Sequence, residues 1–183
     1  MNNVSSLSEM VNNSIVVLTK PHVSTFEMFE RRGNVQSALI YVGIASVISG
    51  ILGAIGPRGG LTGLLGGLIA ALIGFLVFTG AVFYIGRSQG GTGTFDEVAY
   101  TFSLFWAPIT VIGAVIGLLA AIPLLGCILG LPLSLALLVA EIYFGFLAVQ
   151  SSMNLSDRTK AIVTLILAAL VSLVFSVIIS VIF

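Results

Sequence analysis

The feature that most constrains this chain is a run of 43 residues, Val98–Ala140, that contains no charged side chain. As one straight helix it would be about 65 Å long, roughly twice the thickness of a membrane's hydrocarbon core. The run must therefore turn back on itself. Pro123, Gly126 and Pro132 mark the place, because proline lacks an amide donor and clashes with the preceding helical turn.

Three further stretches are free of charge: Gly33–Pro57, Gly59–Gly86 and Ala161–Phe183. Each is long enough for a membrane-crossing helix, which needs about 20 apolar residues. The composition agrees, since only 8% of the residues are charged, against roughly 25% in soluble domains. The expected fold is therefore all-α, a polytopic bundle of five transmembrane helices. The spans are expected at about 36–56, 61–86, 96–122, 127–150 and 161–183.

The basic residues predict an orientation, since Lys and Arg prefer the cytoplasmic side of a membrane. With five spans and a cytoplasmic N-terminus, six of the seven basic residues lie in the cytoplasm and only Arg58 lies outside. If residues 124–150 were re-entrant, Arg158 and Lys160 would move outside, leaving four against three. Five spans with the C-terminus outside are therefore preferred.

Residues 1–35 are expected to form a short amphipathic segment in the cytoplasm, ahead of a five-helix domain at 36–183. Apolar residues recur along residues 7–18 at steps of three and four, which is typical of one face of a helix. That face comprises Leu7, Met10, Val11, Ile15 and Leu18. Ser24 and Glu27 fit a capping box that opens a second, shorter helix.

The second short helix carries Phe26 and Phe29 on one face, with Arg31 and Arg32 directly after it. This pattern suits a helix that lies at the membrane interface on anionic lipid. It equally suits a segment that covers the cytoplasmic ends of the spans. The residues alone leave both interpretations open.

The loop at residues 87–97 is rich in glycine, but it lacks the lysine of a phosphate-binding loop and follows no strand. A helix start explains it better, because Thr94 and Glu97 form a capping box. No nucleotide is expected. The net charge is zero, so no nucleic-acid partner is expected either. With a single cysteine, Cys127, the sequence predicts no disulfide, no metal site and no cofactor.

Glu141 is a single charge within an apolar span. On a helix it shares a narrow arc of mainly small or polar residues with Ser134, Gly145, Ala148 and Ser152, so it is expected to face the bundle. Its expected partners are the hydroxyls of Tyr100, Ser103 and Thr110 and the ring N–H of Trp106. Two interpretations stay open: a proton or cation site, and a neutral acid that joins helices by hydrogen bonds.

Three segments carry a resemblance to a known family: LTKPHVSTFEMF before the first span, GGTGTFDEVAYTFSLFWAPI opening the third and LSDRTKAIV opening the fifth. In their order and spacing the chain resembles the Yip-domain family of integral membrane proteins with five spans, and its prokaryotic members most. Eukaryotic relatives are linked to Rab-type GTPases through a longer cytosolic region with a D-L-Y-G-P-type motif. This chain has no such motif, so the resemblance implies a prokaryotic inner membrane and no trafficking role.

The expected function is that of a non-enzymatic membrane protein that organises the membrane or partner proteins. The alternative is a small transporter or channel that uses Glu141. An enzyme is not expected, because no deep His, Lys or Asp accompanies this carboxylate within the spans. The expected partners are the lipid bilayer and either further copies of the chain or other membrane proteins.

Overall fold

The computed structural model describes residues 6–55 and 60–182, without the side chains of Thr62, Gly63, Gly67, Ala70, Cys127 and residues 179–182. The expectations for Cys127 and for Arg58 therefore lie outside the described part. The helices are α1 (Leu7–Thr19), α2 (Val23–Glu27), α3 (Val35–Ile55), α4 (Leu61–Ser88), α5 (Phe95–Ala120), α6 (Pro123–Leu125), α7 (Leu131–Ser152) and α8 (Arg158–Ile182). A π-helical turn at Gly126–Gly130 joins α6 to α7.

Five helical segments are long and apolar enough to cross a membrane. They are Val35–Ile55, Leu64–Ser88, Phe95–Ala120, Ile128–Ser152 and Arg158–Ile178. Among the described residues there is no strand. The prediction of an all-α bundle with five spans is confirmed.

The charge-free run does turn back where the prolines predict. Helix α5 ends at Ala120, Pro123 is the first residue of α6, and Pro132 lies in the first turn of α7. Gly126 makes the turn tight, because a Cβ atom there would overlap the carbonyl oxygen of Ala120. The two arms of the run therefore pack against each other from this turn onwards.

The capping box at the start of α5 is confirmed, since the Thr94 hydroxyl accepts from the Glu97 amide and the Thr94 amide donates to the Glu97 carboxylate. The box predicted at Ser24 is wrong. Helix α2 begins one residue earlier, at Val23, and its N-cap residue His22 makes no side-chain capping bond. The chain leaves its extended conformation at His22, so Ser24 is already inside the helix.

We call the end of the bundle where α3, α5 and α8 begin and α4 and α7 end the junction end, and the opposite end the open end. The core is concentrated at the junction end. In α7 every buried residue falls within 144–152, and in α5 none of residues 110–120 is buried. In α8 burial stops at Ala168 among the described side chains. The helices thus share a core near the junction end, and α7 and α8 contribute little to it towards the open end, where α3 still packs on α4 and α5.

A chain of aromatic rings forms the centre of this core. Phe105 of α5 contacts Phe102 on its own helix, Phe144 of α7 and Phe26 of α2, with ring centroids 5.3, 6.0 and 6.3 Å apart. Phe78 of α4 extends the chain, 5.6 Å from Phe102. The N-terminal segment is therefore part of the core and not an appendage to it.

Candidate functional site

The densest polar cluster lies at the junction end, where segments far apart in sequence meet. Glu30, only 4% exposed, follows α2 and accepts a hydrogen bond of 2.8 Å from the Ser151 hydroxyl at the end of α7. Arg31 is largely exposed, and its Nε lies 3.6 Å from a carboxylate oxygen of Glu30 and 3.6 Å from one of Glu97. Asp96 accepts a 2.8 Å bond from the Val35 amide at the start of α3.

Burial is the largest influence on the Glu30 carboxyl and raises its pKa above the usual range for glutamate. The nearby carboxylates of Glu97 and Glu27 raise the pKa further, whereas the Ser151 hydroxyl and Arg31 lower it. Glu30 is thus an acid that the protein has removed from water without giving it a fully buried cation. The sequence showed no sign of it, because Glu30 appears there as one charge among several in a polar segment.

The glycine-rich loop, residues 87–97, packs against the end of α7 and the first residue of the link to α8. The Thr92 amide donates to the Met153 carbonyl, 3.1 Å away. A Cβ atom on Gly93 would overlap the carbonyl of Ser152, and one on Gly91 would lie 2.7 Å from the Met153 methyl group. Close backbone approach therefore accounts for the glycines.

Helix α1 is tied to the first turns of two spans by tyrosine hydroxyls. Ser14 is hydrogen-bonded to the Tyr41 hydroxyl of α3 at 2.9 Å, and Asn13 donates to the Tyr100 hydroxyl of α5 at 3.2 Å. Sequence reasoning missed Asn13, Ser14 and Tyr41. The available signal was the pair of tyrosines near the starts of two spans, because a buried tyrosine hydroxyl usually finds a polar partner.

A small polar cavity of about 90 Å³ opens beside this contact, lined by Glu9, Asn13, Arg32 and Tyr100. The backbone amide and hydroxyl of Ser6 bond to the Glu9 carboxylate and, with a smaller contribution from Arg32, lower its pKa. Glu9 is therefore ionised at neutral pH, and this cavity presents opposite charges on two of its sides.

The structure turns Phe26 and Phe29 inwards. Their rings are 0% and 5% exposed, so neither is available to insert into lipid. Arg31 and Arg32 are exposed at the junction end, with the Arg32 guanidinium 5.3 Å from the centre of the Phe29 ring. Both rings therefore pack against the protein, and Phe26 lies edge-on to Phe105 of α5.

Glu141 is exposed, contrary to the expectation that it faces the interior. Its arc was nevertheless identified correctly near the junction end, where Gly145, Ala148 and Ser152 are buried and Gly145 lies against Leu165 of α8. The correction has a tertiary cause: burial along α7 stops at Phe144, and no residue from 131 to 143 is buried. Ser134, farther along the arc, is exposed and donates to the Gly130 carbonyl.

Two of the predicted partners of Glu141 have hydroxyls that are bonded elsewhere. The Tyr100 hydroxyl accepts from Asn13 of α1, and the Ser103 hydroxyl donates to the carbonyl of Tyr100 on its own helix. The Trp106 ring packs against Phe75 and Phe78 of α4. Among the described residues, no hydrogen bond joins any of these side chains to Glu141. The same part of the chain contains no group of three His, Cys, Asp or Glu side chains placed to hold a metal.

Comparison with known families decides the identity. A family model described as the Yip1 domain matches residues 15–179, that is 165 of the 183 residues. The chain belongs to the Yip1-domain family. Comparison with curated proteins and with solved structures gives no match.

The Yip1 domain as matched begins inside α1 and ends inside α8. It therefore includes the last five residues of α1, all of α2 and the junction end, together with most of the length of the five spans. The resemblance drawn from the sequence is confirmed, and its three motifs are the segments that meet at the junction end.

Proposed function

We propose that this Yip1-domain protein is a non-enzymatic membrane protein that organises other membrane components through its surface. Support comes from the disposition of its polar groups. Several hydroxyls within the spans donate to carbonyls of their own helices, as Ser46 does to Val42 and Thr79 does to Phe75. Ser151 and Glu30, which place a hydroxyl beside a carboxylate, lie at the junction end of the bundle.

The observation that carries this proposal is the exposed carboxyl group of Glu141 on the surface of α7. Glu141 lies eleven residues, about 16 Å, from the junction end of its helix, with exposed apolar side chains such as Leu138 and Ile142 around it. A carboxyl group at that depth is costly when it faces only lipid. A polar group on a second membrane helix would compensate it, so we place a contact with another protein at this surface.

The partner is a second copy of this chain or another membrane protein. The proposed location is a prokaryotic inner membrane, with the junction end in the cytoplasm and the C-terminus outside. This orientation is supported by the basic residues, since Arg31, Arg32, Arg87, Arg158 and Lys160 all lie at the junction end.

Cross-linking in native membranes tests the contact. In a Cys127→Ala background, Leu138→Cys presents a thiol one turn from Glu141, and Ile44→Cys on α3 serves as the matched control, because both positions are exposed. We expect cross-linked product from position 138 and much less from position 44. Adding Glu141→Leu should reduce the product about tenfold, as expected for an interhelical hydrogen bond of about 1.4 kcal/mol. Equal yields of cross-linked product with and without the Glu141→Leu substitution would overturn the proposal.

The alternative, a transporter or channel that uses Glu141, would need a path between protomers, since this side chain lies on the outer surface. Glu141→Gln separates the two functions. The amide still donates and accepts hydrogen bonds, but it cannot ionise. Under our proposal Gln preserves cross-linking and any growth phenotype, whereas loss of phenotype with intact cross-linking would favour transport.

A further inference from the structure

We propose that the hairpin formed by α1 and α2, residues 7–30, is inserted obliquely into the membrane leaflet at the junction end. In this arrangement Leu7, Val11, Ile15 and Met28 contact the acyl chains of the same bilayer that the spans cross. The hairpin would then be a lipid-embedded element of the Yip1 domain and not a cytosolic cap.

The length of α3 fixes where the membrane boundary lies. Its 21 described residues rise about 31 Å, which barely equals a hydrocarbon core of about 30 Å. The Gly60 amide donates to the Ala54 carbonyl, so the chain has turned back within a few residues of Ile55. Any tilt reduces the thickness of membrane that α3 can cross. Helix α3 therefore has no turn to spare outside the lipid, and its start at Val35 must lie close to the membrane boundary.

The contacts of the hairpin lie well beyond that boundary. Ser14, in the middle of α1, is bonded to Tyr41, which is six residues or about 9 Å into α3. Pro21, at the tip, accepts a 3.3 Å bond from the hydroxyl of Tyr143, which lies nine residues or about 13 Å from the end of α7. Two separate spans thus place the hairpin inside the leaflet.

The direction of the side chains shows that the hairpin is oblique. Helical side chains lean towards the N-terminus of their helix. Helix α3 begins at the junction end, so the Tyr41 hydroxyl is shallower than its Cα atom. Helix α7 ends at the junction end, so the Tyr143 hydroxyl lies deeper in the membrane than the Tyr143 Cα atom. The middle of α1 is therefore shallower than the tip, and the hairpin returns to the boundary at Glu30, which bonds Ser151.

The surface of α1 is divided into three faces, as this position requires. Met10, Ser14 and Val17 are buried against the bundle. Leu7, Val11 and Ile15 form an apolar stripe and are 45%, 41% and 54% exposed. Ser8, Asn12 and Thr19 form an exposed polar face. A helix at the edge of the bundle, between lipid and water, satisfies all three faces, whereas a helix in water would leave the apolar stripe solvated.

Placing the hairpin in the cytosol conflicts with the length of α3. If the boundary lay at the level of the Tyr41 Cα atom, α3 would keep about 15 residues for the membrane, roughly 22 Å. That falls well short of the hydrocarbon core. Lys20, next to the tip, is compatible with insertion, because its long apolar stem lets the ammonium group reach towards the polar boundary.

Nitroxide labels measure this depth directly. The full chain with Cys127→Ala is labelled at Leu7→Cys, Val11→Cys, Ile15→Cys or Met28→Cys, with Ser8→Cys and Asn12→Cys as controls on the polar face of the same helix. All six positions are exposed, so the fold should persist, and thermal melting verifies it. The proteins are reconstituted into vesicles of phosphatidylethanolamine and phosphatidylglycerol. Collision rates with oxygen report lipid, and those with a water-soluble nickel chelate report solvent.

We expect the four apolar positions to favour oxygen and the two controls to favour nickel, with depth increasing from Leu7 through Val11 to Ile15. Nickel access at all positions would show a cytosolic hairpin and overturn the proposal. Equal depths along α1 would show a helix flat on the surface and overturn the oblique insertion. Neither result bears on the Glu141 contact, so the proposed function stands or falls separately.

Discussion

Glu30 is the residue at which the hairpin is fastened to the end of the spans. Its carboxylate accepts a hydrogen bond from the Ser151 hydroxyl. The cation beside it, Arg31, is largely exposed. An exposed ion pair contributes about 0–1 kcal/mol, so Arg31 compensates only part of the cost of burying the charge. The protein is therefore expected to hold the hairpin more tightly when Glu30 is protonated.

This expectation has a definite sign with pH. Because burial raises the pKa of Glu30 in the folded state, its contribution to stability is fully present below the unfolded value of about 4.5 and is lost as pH rises through the higher folded value. Glu30→Gln mimics the protonated acid, so it should melt at a higher temperature than wild type at pH 7 and match it at pH 4. Melting in detergent across this range is the measurement. A lower melting temperature for Gln at pH 7 would mean that the pair with Arg31 outweighs burial.

Gly33, in the link between α2 and α3, is expected to tolerate no side chain. A Cβ atom there would overlap the ring of Tyr100, which is fully buried and bonded to Asn13. Gly33→Ala should therefore destabilise the protein by about 1–3 kcal/mol, as overpacked core sites do. Gly43→Ala in α3 is the matched control, since nothing lies within 4 Å of its Cβ position. The control should be neutral or stabilising, by up to about 1 kcal/mol. Similar melting temperatures for both variants would contradict the close contact.

At the scale of elements, α2 is too short to be stable by itself and depends on what it packs against. It has five residues, less than the length at which an isolated helix becomes even marginal in water. Phe26 supplies its anchor, since this ring is fully buried and lies edge-on to Phe105. The hairpin should therefore dock or detach as one unit.

Removing that anchor should release the unit. Phe26→Ala leaves a cavity that costs about 3–5 kcal/mol in a packed core. We expect trypsin to cleave the variant faster at Lys20, Arg31 and Arg32. Met28→Ala is the control next to the same helix, because Met28 is 58% exposed and its truncation leaves no cavity in the core. Rates for Phe26→Ala that match those of Met28→Ala would show that other contacts hold the hairpin.

At the scale of the whole molecule, the five spans share a core at the junction end, and only some of them remain closely packed towards the open end. Helix α3 stays packed on its neighbours, with buried residues from Ser37 to Gly50. Helices α7 and α8 meet at Gly145 and Leu165, and towards the open end their described side chains are exposed or half-buried beyond Phe144 in α7 and beyond Ala168 in α8. The open end therefore offers apolar surface to lipid or to a second membrane protein.

The proposed orientation predicts which ends react with an impermeant thiol reagent. In a Cys127→Ala background, Leu124→Cys is expected to be labelled in intact cells, because it lies in the turn at the open end and is 73% exposed. Ser88→Cys and Ser156→Cys lie at the junction end and should react only after the cells are permeabilised. Labelling of position 88 in intact cells would contradict the proposed orientation and indicate the opposite one.

The sequence by itself determined the class of the fold, the number of spans and the family. These follow from quantities that are local along the chain: the length of an apolar run, the place of a proline, and a capping box such as Thr94 with Glu97. Each depends on a helix and its solvent and not on which helix lies beside it. For the same reason the arc of Glu141 on α7 could be identified from residue spacing.

Only the tertiary structure decided what each face meets. The apolar face read along α1 divides in two, because Met10 packs on the bundle while Leu7, Val11 and Ile15 point away from it. Phe26 turns inwards and packs edge-on against Phe105 of α5, and Glu141 lies on the part of α7 where no described side chain is buried. Helix spacing assigns a residue to a side of its helix, whereas burial depends on the distance to the next helix, which is set by packing among residues remote in sequence.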